Sequence, residues 1–261
     1  LSVLDEIVSR TRAELEQRRR NVPLATLGAG PDRVPHAFRD ALARPAISVI
    51  AEHKRRSPSA GEIRPGSSVA DVASAYQRGG AAAMSVLTNE HYFGGSLDDL
   101  REAARACSLP LLRKDFIIDA YQLHEARAAG AAAVLLIVAA LDQVTLTSLH
   151  AAAGELSLDV LVEVHDAAEL ALALAAGAEL IGVNNRDLRD FSVDPERTYA
   201  LLDAIPAGAL VVSESGIAGA GDLARLRAAG VDGVLIGELL MRSADPAQKL
   251  RELLSEAETD L

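Results

Sequence analysis

Tryptophan is absent and aromatic residues make up only 3% of the 261-residue chain. Leu, Val, Ile and Ala must therefore fill its core, and a base-stacking nucleic-acid binder would carry more rings. Positive charge is also short. The 26 Lys and Arg face 37 Asp and Glu, a net of −11, which argues against a broad nucleic-acid or anionic-membrane surface and requires any anionic ligand to be held locally. Cys107 is the only cysteine. That excludes an internal disulfide framework and a Cys-rich metal site, fits a reducing compartment, and places the thiol in an Ala-rich helical stretch where simple packing is the ordinary outcome. No apolar run reaches the length of a membrane span, and the start lacks the basic-then-apolar order of a signal peptide, so a cytoplasmic protein is expected. With 49% hydrophobic residues, one large core over residues 1–261 is the expected domain organisation.

What is present is a repeat. Helical stretches end in a glycine followed by an apolar run: Gly80-AAAMSVLT, Gly130-AAAVLLIV, Gly177-AELIGVNN and Gly230-VDGVLIGE. Glycine at a helix end is the left-handed cap. Four further apolar runs are entered from loops, SVIAEHK (48–54), PLLRKDF (110–116), DVLVEVH (159–165) and ALVVSES (209–215), giving eight strands. Helical segments near 69–79, 98–107, 119–129, 142–153, 166–176, 195–204, 219–229 and 245–257 separate them. Such alternation implies a parallel sheet with crossover helices, and eight units fit a closed (β/α)₈ TIM barrel better than an open doubly wound sheet. Residues 1–45 read as an N-terminal helical extension, with one helix over Leu1–Arg20 and a shorter one over Ala37–Ala43. GAGDLA at 219–224 loosely matches a dinucleotide fingerprint, but no acidic residue ends a strand about 20 residues on, and a Gly-rich helix start explains it.

Barrel chemistry sits where strands end, and here those ends are polar. Glu52 and Lys54 close the first strand, Lys114 the third, Glu163 the fifth, Asn184 the sixth, and Glu214 with Ser215 the seventh. Each alone reads as a structural ion pair. Converging on one mouth, two lysines and three carboxylates perturb one another's ionisation, as acid–base work requires. Gly216 and Gly237 follow the last two strands and lead into helical sequence, a pattern that offers backbone N–H groups to phosphate; Ser57 adds a hydroxyl from the first loop, although Ser-Pro-Ser is also an ordinary turn. Arg186 is placed to neutralise an anion or pair with a rim carboxylate. The histidines give no metal spacing, and Ser57, Ser59 and Ser215 lack a His/Asp set for hydrolysis.

Seven segments in order resemble the indole-3-glycerol phosphate synthase family: IAEHKRRSPSAG (50–61), LTNEHYFGGSLDDL (87–100), LLRKDFIID (111–119), LVEVH (161–165), IGVNNRDL (181–188), VSESGI (212–217) and LIGELLM (235–241). The resemblance implies a (β/α)₈ lyase of tryptophan biosynthesis with extra N-terminal helices. It would convert 1-(2-carboxyphenylamino)-1-deoxyribulose 5-phosphate into indole-3-glycerol phosphate, carbon dioxide and water without a cofactor. It further implies Lys114 as general acid, Lys54 as the partner of the anthranilate carboxylate, Glu163 as general base, Glu52 and Asn184 as orienting groups, and Ser57, Gly216 and Gly237 as a phosphate cradle beside Ser215. Phe93 and Phe116, with Leu112 or Ile137, are candidates for an aryl pocket, ordinary core packing being the alternative. His53 stands where the family usually has an apolar residue. Expected partners are one phosphorylated small molecule, no nucleic acid and no membrane, with a monomer as the working unit. Two alternatives stay open. A phosphoribosylanthranilate isomerase-like barrel would need a Cys/Asp pair, and no cysteine ends a strand; a non-catalytic phosphate-binding barrel would have lost Lys114 or Glu163.

Overall fold

The computed structural model describes residues 3–31, 34–187 and 191–259. Eight parallel strands close on themselves: β1 (Ser48–His53), β4 (Ala83–Leu87), β5 (Leu111–Lys114), β6 (Ala133–Ile137), β7 (Asp159–Val164), β8 (Leu180–Asn184), β9 (Leu210–Glu214) and β10 (Gly233–Ile236). Closure rests on β1, which pairs with β4 on one side (Ile50 opposite Ala83) and β10 on the other (Ser48 opposite Gly233). An open sheet is thereby excluded. Between β1 and the next helix, β2 (Arg56–Ser57) and β3 (Gly61–Glu62) form a small antiparallel hairpin within the first loop.

Helices α3 (Val69–Gly79), α5 (Leu97–Ala106), α6 (Ala120–Ala128), α7 (Gln143–Glu155), α8 (Ala167–Ala175), α9 (Glu196–Leu202), α10 (Ala220–Ala228) and α12 (Pro246–Thr259) return the chain, with the short α4 (Glu90–Phe93) and α11 (Glu238–Met241) in loops. Ser68, Ser96, Asp119, Asp142 and Asp166 accept hydrogen bonds from first-turn N–H groups, satisfying donors that a helix start leaves open. The four repeat glycines, Gly80, Gly130, Gly177 and Gly230, all have φ between 88° and 92°, the left-handed geometry the sequence pattern requires. Among the described residues no helix is long and apolar enough to cross a membrane.

Period-two alternation sorts the strand side chains into two cores. Val49, Ala51, Val134, Leu136, Val162, Val164 and Val183 face the helices, whereas Ile50, Leu112, Leu135, Ile137, Leu161, Val212 and Leu235 fill the barrel interior.

The N-terminal prefix follows the barrel from one end to the other. In α1 (Val3–Asn21), Ile7 joins Phe116 and Ile137 in the interior cluster, with Val3, Leu4, Tyr92, Phe93 and Ala140 packed against it. Leu1 and Ser2 of the expected helix lie outside the described residues. Further down, Arg18 pairs with Glu125, Arg19 with Asp119, and the Tyr121 hydroxyl donates to the Val22 carbonyl. The chain then enters α2 (Ala37–Leu42), whose Phe38 and Leu42 are fully buried in the interior cluster. Asp159, the first residue of β7, accepts from the Phe38 and Arg39 N–H groups, both at 3.0 Å, and holds α2 across the end where strands begin. That end is plugged, so a ligand must enter from the other.

Candidate active site

At the C-terminal ends of the strands, four inward side chains come from alternate strands: Glu52 (β1), Lys114 (β5), Glu163 (β7) and Glu214 (β9). Alternate strands supply one layer in this kind of barrel. The Lys114 Nζ lies 3.6 Å from Glu163 Oε2 and 3.4 Å from Glu214 Oε2, and Lys54, one residue beyond β1, pairs with Glu52 at 2.8 Å. His53 points the other way and bonds Ser67.

Two glycines make room for these carboxylates. A Cβ on Gly182 of β8 would stand 2.3 Å from Glu214 Oε1, and one on Gly237 would stand 2.5 Å from Glu52 Oε1. Neither has a positive φ, so the constraint is space rather than backbone conformation. Gly182→Ala is accordingly expected to lower turnover and cost about 1–3 kcal/mol through overpacking. Gly221→Ala, at a site in α10 with nothing within 4 Å, should be neutral or slightly stabilising. Urea unfolding and turnover of the two variants check this, and equal stability would show that the Glu214 site yields easily.

Burial and charge compete in the layer. Glu214 is pushed up to about 7, by burial first, against the pull of Lys114 and with further help from Glu163 and Glu52. For Lys114, burial favours the neutral amine, but Glu214, Glu163 and Glu52 outweigh it and hold the proton above the ordinary lysine value. Burial likewise raises Glu52, and Lys54 and then Lys114 override it, so that this carboxyl lies below its usual range. The result is a charged ammonium beside a carboxyl poised near neutrality.

Above this floor opens a cavity of about 590 Å³, lined on one side by Phe93, Phe116, Leu135 and Ile137 and on the other by Ser57, Arg186, Ser215, Gly216 and Gly237. Cavities of this size suit a small-molecule substrate. The Phe93 and Phe116 rings lie 6.4 Å apart and Ile137 completes their wall. Leu112 is instead fully buried in the barrel interior, because it precedes Lys114 by two residues on the same strand face.

Asn184 Oδ1 accepts from the Ser215 hydroxyl at 2.9 Å and from the Arg186 N–H at 3.0 Å. Ser215 has φ +66° and Gly216 φ +82°, consecutive left-handed residues that turn the chain at the mouth. Asn185 braces this turn, donating to Ser213 Oγ and the Ser215 carbonyl. Arg186 donates to the Phe191 carbonyl at 3.0 Å rather than to a rim carboxylate, since its backbone bridge to Val193 turns it along its own loop. Leu188, which ends one of the seven segments, lies outside the described residues.

Gly237 caps the four-residue α11, and beyond Gly216 the helix α10 begins at Ala220, where the 219–229 segment places it. The Ala218 and Gly219 N–H groups, just before that helix, donate to Asp222 at 2.8 and 3.2 Å. Ser57 Oγ accepts from the Ala60 N–H, so it shapes its turn as well as lining the cavity.

Sequence reasoning missed four contributors. Gly182 in mid-strand was the legible one, since an interior strand glycine marks close approach. Asn185, next to Asn184 in IGVNNRDL, carries no separate signal in the sequence. Arg113, wholly buried behind Lys114, donates to Thr88, Asp115, Glu125 and the Gln122 carbonyl; nothing in LLRKDF separates it from a solvated arginine. His165, in the β7–α8 turn, reaches Glu163 at 3.6 Å and Glu169 at 3.0 Å, and its i, i+4 spacing from Glu169 was the available signal. Cys107 caps the end of α5, with its thiol toward the Ala103 carbonyl, and is not among the residues lining the cavity.

Comparison with known proteins gives a consistent picture. A family profile described as indole-3-glycerol phosphate synthase matches residues 4–253. An indole-3-glycerol phosphate synthase of Acidithiobacillus ferrooxidans is 50% identical over 257 residues, covering 96% of this chain and 98% of its own. Indole-3-glycerol phosphate synthase 2 of Streptomyces coelicolor is 52% identical over 217 residues, 83% of this chain and 84% of its own. Among solved structures, 3-hexulose-6-phosphate synthase from Salmonella typhimurium superposes with a TM-score of 0.63 at 14% identity, covering 82% of this chain and 100% of its own. That likeness speaks for the barrel alone.

Proposed function

We propose, from the premise that the chain belongs to the indole-3-glycerol phosphate synthase family, a division of labour for the ring closure, decarboxylation and dehydration that yield indole-3-glycerol phosphate. As a reaction class this is a carbon–carbon lyase step of tryptophan biosynthesis. The observation that carries the reading is the Lys114 ammonium held between Glu163 and Glu214 on the floor of the cavity.

An aryl ring carbon attacks a ketone, and negative charge builds on the carbonyl oxygen. A fully charged ammonium in a buried site stabilises that oxygen and gives it a proton, because an alkoxide is far more basic than any lysine. Lys114 is this acid. Lys54, oriented by Glu52, receives the substrate carboxylate and supports the later loss of water. Glu163 takes the proton released as the five-membered ring becomes aromatic, and Asn184, fixed through Ser215, orients the sugar. The wall of Phe93, Phe116 and Ile137 presses the arylamine toward the ribulose carbon, which supplies the near-attack geometry. Ser57, Arg186, Gly216 and Gly237 line the opposite end and take the phosphate.

One chain carries every group in this scheme, which supports a monomer as the working unit and residues 1–261 as one barrel domain with its 1–45 prefix. The cytoplasm is the compartment proposed for it. Release of carbon dioxide and indole fluorescence from the carboxyphenylamino-ribulose phosphate tests the activity directly. The phosphate assignment has its own test. The dephosphorylated substrate should bind far more weakly, and equal affinity of both forms would remove Gly216 and Gly237 from the cradle.

A further inference from the structure

We infer that Arg113 is a positioning residue that sets the spacing of the two rings of the aryl wall, and with it which aryl rings the site accepts. The inference rests on the reading of Phe93 and Phe116 as that wall. The Arg113 side chain is wholly buried on the helix-facing side of β5, where the strand's other residue on that side, Leu111, is apolar. Two carboxylates balance it, Asp115 Oδ2 at 3.0 Å and Glu125 Oε2 at 3.3 Å, and Glu125 is shared with Arg18 of α1 at 3.1 Å. Such a buried set gives little stability over apolar residues of the same volume. What a guanidinium supplies is direction, because its donors lie in one rigid plane.

Those donors reach the bases of two loops. Nε donates to Thr88 Oγ1 at 3.1 Å, and the Thr88 hydroxyl donates in turn to Asp115 Oδ2 at 2.7 Å, closing a triangle with Arg113. Thr88 opens the loop that carries Phe93 on α4, and its N–H is fixed to the Lys114 carbonyl. On the other side Phe116 is held at both of its backbone groups: its N–H donates to Asp115 Oδ1 and its carbonyl accepts from the Gln122 side chain, each at 2.9 Å. Arg113 binds both holders, Asp115 through Nη2 and the Gln122 carbonyl through Nη1 at 2.7 Å. One rigid group therefore ties the root of the Phe93 loop to the peptide of Phe116. Arg113 is not among the residues lining the cavity, so it acts on the substrate through the two rings, which stand 6.4 Å apart.

The test compares kcat/KM for the carboxyphenylamino-ribulose phosphate with kcat/KM for its forms methylated at each free ring carbon. One extra carbon against a closed apolar wall is worth about 10–200-fold. Arg113→Lys keeps the charge but cannot span Thr88, Asp115 and Gln122 together, and should lower the discrimination against the worst-accepted isomer on the order of tenfold. Thr88→Val cuts the link to the Phe93 loop, leaves the ion pairs of Arg113 in place, and should shift the ratio in the same direction by less; if Arg113→Lys does not fold, Thr88→Val decides alone. Both substrates meet the same folded fraction, so the ratio does not register lost stability. Leu223→Ala, which opens a cavity in the helix-facing core at α10, is the destabilised control whose ratio should hold. An unchanged ratio in the Arg113 and Thr88 variants, or an equal shift in Leu223→Ala, overturns the positioning role. Phe93→Ala and Phe116→Ala separate this from failure of the underlying reading. If they abolish the discrimination while Arg113→Lys and Thr88→Val keep it, only the positioning role falls; if neither changes it, the aryl wall itself is misassigned.

Discussion

Lys114→Ala is expected to lose about 10²–10⁴-fold in turnover while the barrel stays folded. The lysine contributes charge rather than apolar core area, for it lines the cavity above the apolar interior. Its loss should also change how stability responds to pH. Glu214 is already raised from 4.5 to about 7 in the intact layer, with Lys114 the main force pulling it down. A carboxyl whose folded value lies above its unfolded one binds protons preferentially in the folded state, so stability falls as pH rises through the interval between them. Without Lys114 the folded value climbs further and that decline extends beyond about 7. Circular dichroism melts across the neutral range and single-turnover kinetics read the two effects separately. Near-normal turnover, or a chain that fails to fold even at mildly acidic pH, would be incompatible with the assigned role.

Glu163→Gln should fail at a different point. The substitution keeps side-chain length and a hydrogen-bonding oxygen but cannot accept a ring proton. Carbon–carbon bond formation and release of carbon dioxide should therefore proceed while aromatisation lags. In rapid single-turnover measurements, carbon dioxide should precede the indole signal, and a substrate deuterated at the departing position should widen the gap. Lys114→Ala should delay both signals together, since it acts on the first bond. Coincident delays in the two variants would mean that Glu163 serves chiefly to position Lys114, and interpretation of the kinetics as separate losses would then fail.

The barrel was legible because its repeat is local. Gly80, Gly130, Gly177 and Gly230 each end a helix by a rule that needs only neighbouring residues, and all four adopt the required left-handed φ. The layer was legible for a related reason: period-two alternation puts Glu52 beside Lys54, and strand ends identify Lys114, Glu163 and Glu214. What escaped depends on contacts between distant segments. Gly237 reads as a phosphate-binding turn, and nothing near it in the chain shows that its missing side chain also leaves room for the Glu52 carboxyl, a neighbour 185 positions away in the chain numbering. Arg113 is buried only because Thr88, Asp115, Gln122 and Glu125 surround it in space.

The prefix that links rim to floor imposes an order of events on a growing chain. Phe38 and Arg39 leave the ribosome long before Asp159, their anchor 121 and 120 residues further on. At typical rates of 5–20 residues per second, synthesis of that interval takes roughly 6–24 s. During this time Phe38 and Leu42, both destined for complete burial, have no floor to close. Helix α1 waits in the same way for Glu125, 107 residues after Arg18. The plug is thus among the first parts made yet cannot seat until β7 has been synthesised, and until then the apolar face of α2 is the segment that a ribosome-associated chaperone would have reason to cover.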